Sequence, residues 1–397
     1  MANKSSVVIV GGCGRVGLPL GLALAGAGHP VVLYDIDATA VDTVSAAKMP
    51  FDEEGADALL EATVANGLLR ASTDRTVVAG VDHVIVVVGT PVDEHFNPDA
   101  EMVIRAVEDI TDQLRSGQHL VLRSTVYPGV TALVERVLDQ HDLDLHVSYC
   151  PERIAEGKAL TELYSLPQIV SGRTPEALAS ARELFGSLAD QIVVLDVEEA
   201  ELAKLITNTW RYIKFAAANQ LYMIANDFGL DYERIRQALA HDYPRAADLP
   251  GAGLAAGPCL LKDTMQLAAF NRNNFSLGHA SMQINEGLPL YLVDRIEQSY
   301  DLSDMTVGLL GMAFKAGSDD TRESLSYKLK RLLRLRARQV LCTDPLVTTD
   351  PDLMPLEDVL AQSELLVIAA PHRQYADLAP EVPVIDVWNL LGQGVRV

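Results

Sequence analysis

Positive charge is scarce in this sequence. Its 397 residues carry 32 Lys and Arg against 54 Asp and Glu, a formal net charge of −22 at pH 7. Nucleic acid and anionic membranes reward an excess of cations, so neither is expected as a partner. Phosphate on a small molecule stays open, because a helix N-terminus and a few placed cations can hold it. Cysteine is sparse too: Cys13, Cys150, Cys259 and Cys342 form no C-x-x-C pair and no Cys/His cluster with zinc spacing. A structural zinc site and a disulfide framework are therefore not expected, and a reducing, cytoplasmic setting is. No uninterrupted apolar run reaches the ~20 residues that span a bilayer. Lys4 and the apolar stretch up to Gly28 resemble a secretory leader, but Arg15 interrupts it and its glycines serve another pattern, so export is not expected.

What the chain does have is apolar material. Hydrophobic residues make up 49% of it, enough for two or three domains with real cores. Short runs at Val7–Val10, Val31–Tyr34, Val84–Val88, Leu120–Leu122 and Ile192–Leu195 alternate with amphipathic segments. Apolar runs of this kind suit a parallel sheet covered on both faces, as in a doubly wound α/β domain. Glu198–Ala240 is almost free of Gly and Pro and reads as one long helix with a break near Gly229. Its apolar stripe is wider than one domain needs, which predicts a homodimer built on that helix. A Gly/Pro-rich loop, Leu249–Pro258, and further helix to about Tyr300 follow. Strand signals return at Val307–Gly311, Val340–Thr343, Leu365–Ala369 and Val384–Val387. The expected layout is two Rossmann-like α/β domains, 1–197 and 303–397, joined by a helical domain over 198–302.

Two stretches carry chemistry. Gly12, Gly14 and Gly17, with Arg15 and Val16 between them, form G-x-G-x-x-G after a strand and at the start of an apolar helix. The glycines allow the tight turn, close approach of a pyrophosphate and helix–strand packing. Asp35 ends the next strand, where its carboxylate would accept the ribose hydroxyls and repel a 2′-phosphate, favouring NAD over NADP. FAD could occupy the same turn. Cys13, inside the turn, reads as a packing residue. The second stretch, Pro250–Asp263, places Cys259 after a run of small residues with Lys262 and Asp263 just beyond it. A cation near a thiol raises its thiolate fraction.

That second stretch resembles the catalytic loop of the UDP-glucose/GDP-mannose dehydrogenase family, and the resemblance extends over further motifs. These are Gly89-Thr-Pro91, Ser124–Gly129, Pro151–Gly157, Glu201–Asn208, Cys259–Asp263, Gly311–Lys315 and Asp319–Ser324. The resemblance implies NAD-dependent oxidation of a sugar C6 alcohol to the acid, with Cys259 as covalent nucleophile through a thiohemiacetal and a thioester. It implies that Lys204 and Asn208, one helical turn apart, stabilise developing oxyanion charge, and that Asp263 moves the proton. Glu152 and Glu156 match carboxylates near substrate and water, Glu156 the better suited to hydrolysis. Thr90 and Thr125 match contacts to the nicotinamide half of NAD, and Lys262 and Arg322 match residues reaching the cofactor from the second half of the chain. Lys315, Gly257 and Arg245 match positions around the nucleotide sugar, Arg245 toward a neighbouring subunit.

Departures from the family pattern are Ala256 and Pro258 before the cysteine, the missing basic residue near Ala40, and no matching Arg around Asp386–Asn389. Pro151-Glu-Arg with Gly157-Lys158 resembles the branch acting on UDP-N-acetylhexosamines, so the substrate class is a UDP-glucose-type or UDP-N-acetylhexosamine sugar. Alternatives are a GDP-mannose dehydrogenase, a two-electron β-hydroxyacid-type dehydrogenase, which needs no cysteine, and a non-catalytic NAD sensor.

Overall fold

A computed structural model of the chain describes residues 4–90 and 101–397. It divides into two compact units, Met1–Thr207 and Asn208–Val397.

The first unit contains six parallel strands: β1 (Val7–Val10), β2 (Val31–Tyr34), β3 (Leu69–Ser72), β4 (His83–Val86), β5 (His119–Leu122) and β6 (His146–Tyr149). Their order is β3-β2-β1-β4-β5-β6. The apolar runs explain why the sheet is buried on both sides. Val7, Ile9, Leu33 and Ile85 enter one apolar cluster, whereas Val8, Val10, Val32 and Val84 enter another. Strand order reverses between β1 and β4, and it is at such a point, beyond the carboxyl ends of the strands, that open α/β sheets bind ligands. The run at 192–195 was expected to join this sheet. Instead β8 (Ile192–Val194) pairs with β7 (Gln168–Val170) in a separate two-stranded sheet.

The helix expected over 198–240 forms as Val197–Asp227 and Tyr232–Ala240. The break falls at Gly229, whose φ of 69° suits glycine. Asp231 then caps the second helix, accepting from Arg234 N–H at 3.2 Å. The division between the two units falls within the first of these helices, here called the long helix.

The second unit contains the parallel strands β9 (Thr306–Leu310), β10 (Gln339–Thr343), β11 (Leu365–Ile368) and β12 (Val384–Ile385), in the order β10-β9-β11-β12. The same alternation covers both faces, with Val307 and Leu309 in one cluster and Leu310 and Leu366 in the other. Two parallel Rossmann-like sheets and a long central helix thus match the expected α/β class. Among the described residues no helix is long and apolar enough to cross a membrane.

Candidate active site

In the first unit, the turn after β1 leads into the helix Gly17–Gly26. Two of the three motif glycines, Gly12 and Gly17, are dictated by the protein itself. A Cβ on Gly12 would lie 2.7 Å from Ile9 O, and one on Gly17 would lie 2.4 Å from Gly11 O. Gly14 is different: it is exposed, and a Cβ there would meet nothing closer than 3.7 Å. The protein alone does not require glycine at 14, whereas a pyrophosphate laid against the backbone does. No side chain caps the helix at Val16, and the positive end of its dipole lies at the glycine turn, a favourable place for an anion. Arg15 stacks its guanidinium 5.0 Å from the Phe51 ring centroid.

Asp35 is half-buried at the end of β2, its Oδ2 accepting from Cys13 N–H at 2.9 Å and its Oδ1 from Asp37 N–H at 3.1 Å. Beside it the side chain of Ile36 is 88% exposed. It is a β-branched apolar residue left in water beside Asp35, and sequence reading missed it. Its signal was an apolar residue between two aspartates. Thr90 is buried beyond β4, and Thr125 is half-buried beyond β5. Pro91, the last residue of the Gly89-Thr-Pro motif, lies outside the described residues.

The loop after β6 is clamped by carboxylates. Arg123, fully buried, donates from Nε to Glu152 Oε2 at 2.8 Å and from Nη1 to Cys150 O at 3.0 Å. Glu152 Oε1 accepts from Arg153 and Ile154 N–H at 2.6 and 3.0 Å. Glu53, from a distant loop, accepts from Gly157 and Ala159 N–H at 2.9 and 2.6 Å. These bonds fix the backbone on both sides of half-buried Glu156. The partners of Glu152 are those of an anchor, a role its motif alone did not disclose. Glu201 is a further residue that sequence reading quoted without a role. It accepts from Gly129 N–H at 2.7 Å and from Thr131 Oγ1 at 2.6 Å, tying the start of the long helix to the turn after Thr125. Burial raises its pKa, against the lowering effect of those donors. Lys204, half-buried, follows one turn later, and Asn208 one turn after that.

In the second unit, Cys259 is exposed at the N-terminal end of the helix Leu260–Phe270, a position that favours negative charge on sulfur. The other three cysteines are buried. Burial first, with Asp35 and Asp37 adding to it, pushes the Cys13 thiol up to about 12. Burial also pushes Cys150 to about 12 and Cys342 to about 11. Those three stay protonated, and only Cys259 is placed to react. Asp263, one turn along, is completely buried, with its Oδ2 accepting from Asn208 Nδ2 at 2.5 Å and its Oδ1 2.7 Å from Lys262 Nζ.

The loop leading to the cysteine is held as firmly. Asn219 of the long helix donates to Gly253 O at 3.0 Å and accepts from Gly253 N–H at 2.9 Å. Gly257 has φ of 107°, and a Cβ there would lie 2.5 Å from the Phe314 ring. Glycine is thus required at 257. Ala256 is not among the residues of positive φ, so alanine fits there without strain.

Lys315 places its Nζ 5.6 Å from the Phe314 ring centroid. Arg322 is exposed and gripped by buried Asp320, at 3.0 Å from Nε to Oδ1 and 2.5 Å from Nη2 to Oδ2. Arg245 is exposed and stacks 4.9 Å from the Tyr243 ring centroid. The second unit therefore brings Cys259, Lys262, Asp263 and Asn208 together, and Gly257 against the loop of Lys315. It leaves Arg245 on the surface.

Known proteins resemble the chain along nearly its whole length. The chain matches the UDP-glucose/GDP-mannose dehydrogenase family in three successive parts: the NAD binding domain at residues 5–189, the central domain at 198–287 and the UDP binding domain at 308–393. It is 30% identical to a UDP-N-acetyl-D-mannosamine dehydrogenase of Yersinia pestis over 97% of each protein. The solved structure of a UDP-D-ManNAc dehydrogenase from Pyrococcus horikoshii is similar with a TM-score of 0.89 and 27% identity, covering 97% of this chain and 96% of that one. A UDP-glucose dehydrogenase from Pyrobaculum islandicum gives 0.90 and 27%, covering 97% and 94%. Matched by all three of its domains along nearly the whole length, the chain belongs to the UDP-glucose/GDP-mannose dehydrogenase family of NAD-dependent nucleotide-sugar dehydrogenases.

Proposed function

We propose that this protein oxidises the C6 primary alcohol of a UDP-N-acetylhexosamine, of the N-acetylmannosamine type, to the carboxylate. The names of the relatives and the Pro151-Glu-Arg motif support that sugar over UDP-glucose, and the UDP binding match supports uridine over guanosine. The observation that carries the reading is the exposed thiol of Cys259 at a helix N-terminus, one turn from Asp263 with its Asn208 and Lys262 partners.

Bound NAD, held by Gly12, Gly14, Gly17 and Asp35 with Thr90 and Thr125 toward its nicotinamide half, supplies the two-electron acceptor, and two molecules are needed in turn. The chain supplies the rest. Alcohol oxidation leaves an aldehyde whose trigonal carbon must become tetrahedral before it can be oxidised again. Cys259 sulfur adds to that carbon, forming a C–S bond and an oxyanion that takes up a proton. Lys204 and Asn208 donate to the developing oxyanion. Oxidation of this thiohemiacetal gives a thioester, and water breaks the C–S bond to release the carboxylate and restore the thiol. Asp263 moves protons directly or through water, and Glu156 orients the hydrolytic water. Glu152, committed to Arg123, holds the loop that presents Glu156. Lys262 and Arg322 contact the cofactor, Lys315 and Gly257 the nucleotide sugar, and Arg245 reaches toward a second copy.

In this reading residues 1–197 hold NAD, 198–302 carry the nucleophile and the dimer surface, and 303–397 hold the UDP moiety. A panel of UDP- and GDP-sugars read by NADH absorbance tests it. UDP-N-acetyl-D-mannosamine should give the highest kcat/KM and GDP-mannose none. Absence of NADH with every UDP-sugar would refute the reading.

A further inference from the structure

The loop 311–317, which carries Phe314 and Lys315, is held at both ends by a buried Asp–His couple. At its start, Met312 and Ala313 N–H donate to Asp344 Oδ2 at 2.6 and 2.9 Å. Asp344 Oδ1 accepts from Leu346 and Val347 N–H at 2.9 and 3.0 Å, so the carboxylate is fixed on its own turn after β10. At the end of the loop, Gly317 N–H donates to His372 Nδ1 at 3.3 Å, and His372 Nε2 lies 3.1 Å from Asp344 Oδ2. Both side chains are 0% exposed.

An N–H aimed at Nδ1 needs a lone pair there. The ring proton facing Asp344 therefore sits on Nε2 and is donated to the carboxylate. Five donors converge on one buried anion, where such bonds are strong and the loss of one is costly. Burial would raise the Asp344 pKa, but His372 and the N–H groups of Ala313 and Leu346 outweigh it and hold the carboxyl well below the usual range.

Lys315 lies between the two points of attachment. Phe314 donates its N–H to Asp320 O at 2.9 Å, and its ring closes on Gly257, two residues before Cys259. The couple thus controls a short segment that touches the nucleophile's own loop.

We propose that Asp344 and His372 are positioning residues for nucleotide-sugar binding: by fixing both ends of the segment they set where Lys315 and Phe314 stand. The assignment rests on the function proposed above. Steady-state kinetics and melting temperatures of the whole enzyme, wild type, His372→Phe and His372→Gln, test it. His372→Phe fills the space but cannot donate to Asp344, whereas His372→Gln keeps a donor near the Nε2 position. His372→Phe should raise KM for the UDP-sugar about tenfold, the effect of one buried charge-assisted hydrogen bond. KM for NAD should stay as in the wild type, and His372→Gln should restore most of the sugar KM. A purely structural role would move both KM values together or track melting temperature alone. Unchanged sugar KM in His372→Phe, parallel shifts in both KM values, or a glutamine variant no better than phenylalanine would each overturn the assignment. A wild-type enzyme yielding no NADH from any UDP-sugar would overturn the function and the assignment with it.

Discussion

Residue identity at the cofactor turn separates what the protein needs for folding from what it needs for binding. Gly17 has Gly11 O within 2.4 Å of any Cβ, whereas Gly14 has 3.7 Å of room. Gly14→Ala should therefore leave the melting temperature unchanged while weakening NAD binding about tenfold or more, because the added methyl stands where pyrophosphate meets backbone. Gly17→Ala should lower the melting temperature as well. Calorimetric titration with NAD beside thermal unfolding checks both, and a Gly14→Ala protein binding NAD as tightly as wild type would argue against the placement of the dinucleotide. The glycine turn and Asp35 were legible from spacing alone. Ile36, Glu53 and Asn219 were not, because what marks them is exposure or a partner more than 30 residues away, which no local pattern records.

Elements were legible where their residues were apolar. The strands at Val7–Val10 and Val31–Tyr34 read directly, but β3, with Arg70 and Ser72, and β6, with His146 and Ser148, did not. The polar residues of β6 become tolerable only through pairing across the sheet. His83, His119 and His146 stand in register at the starts of β4, β5 and β6. His119 Nε2 donates to Ser148 Oγ at 2.9 Å because Ser148 itself donates to Ala177 O, so His119 Nδ1 must accept from His83 Nδ1 at 3.0 Å.

Burial, with His83 and His146 adding to it, lowers the His119 pKa from 6.5 to about 3, and His83 is lowered chiefly by burial. The sign follows. Above 6.5 both folded and unfolded forms are neutral and the full stability is present. As pH falls from 6.5 toward 3, the unfolded chain takes up protons that the folded pair refuses, and stability is lost. Urea midpoints at roughly pH 7.5 and 5.5 should fall further for the wild type than for His119→Asn. Equal falls would show that the pair is not the source. Sequence reading could not anticipate this, since three histidines far apart in sequence meet only through strand register.

At the scale of the whole molecule, the long helix leaves Trp210, Leu221 and Ile224 at 57%, 45% and 48% exposure, and Phe228, just past its end, at 76%. Their spacing puts them on one face, together with Ala217, and such a stripe is costly in water. A second copy of the chain, packed helix against helix, would cover it. Light scattering should give a mass near twice the 43.0 kDa chain, and Trp210→Glu with Phe228→Glu should give the chain mass itself. A wild-type monomer at micromolar concentration would count against the dimer. The order of α/β, helical and α/β parts was readable from the apolar runs and helical periodicity, and the family from its motifs. The clamps around the Glu156 loop and the Cys259 loop were not, because they join residues from separate elements.

In the proposed reaction one enzyme takes four electrons from one sugar carbon by holding it on Cys259 sulfur between oxidations. Counting NADH against UDP-sugar consumed, with the product identified by mass, tests this most directly. Two NADH and one carboxylate per sugar are expected from the wild type, and no net acid from Cys259→Ser. One NADH per sugar with an aldehyde released, or full carboxylate production by Cys259→Ser, would contradict it.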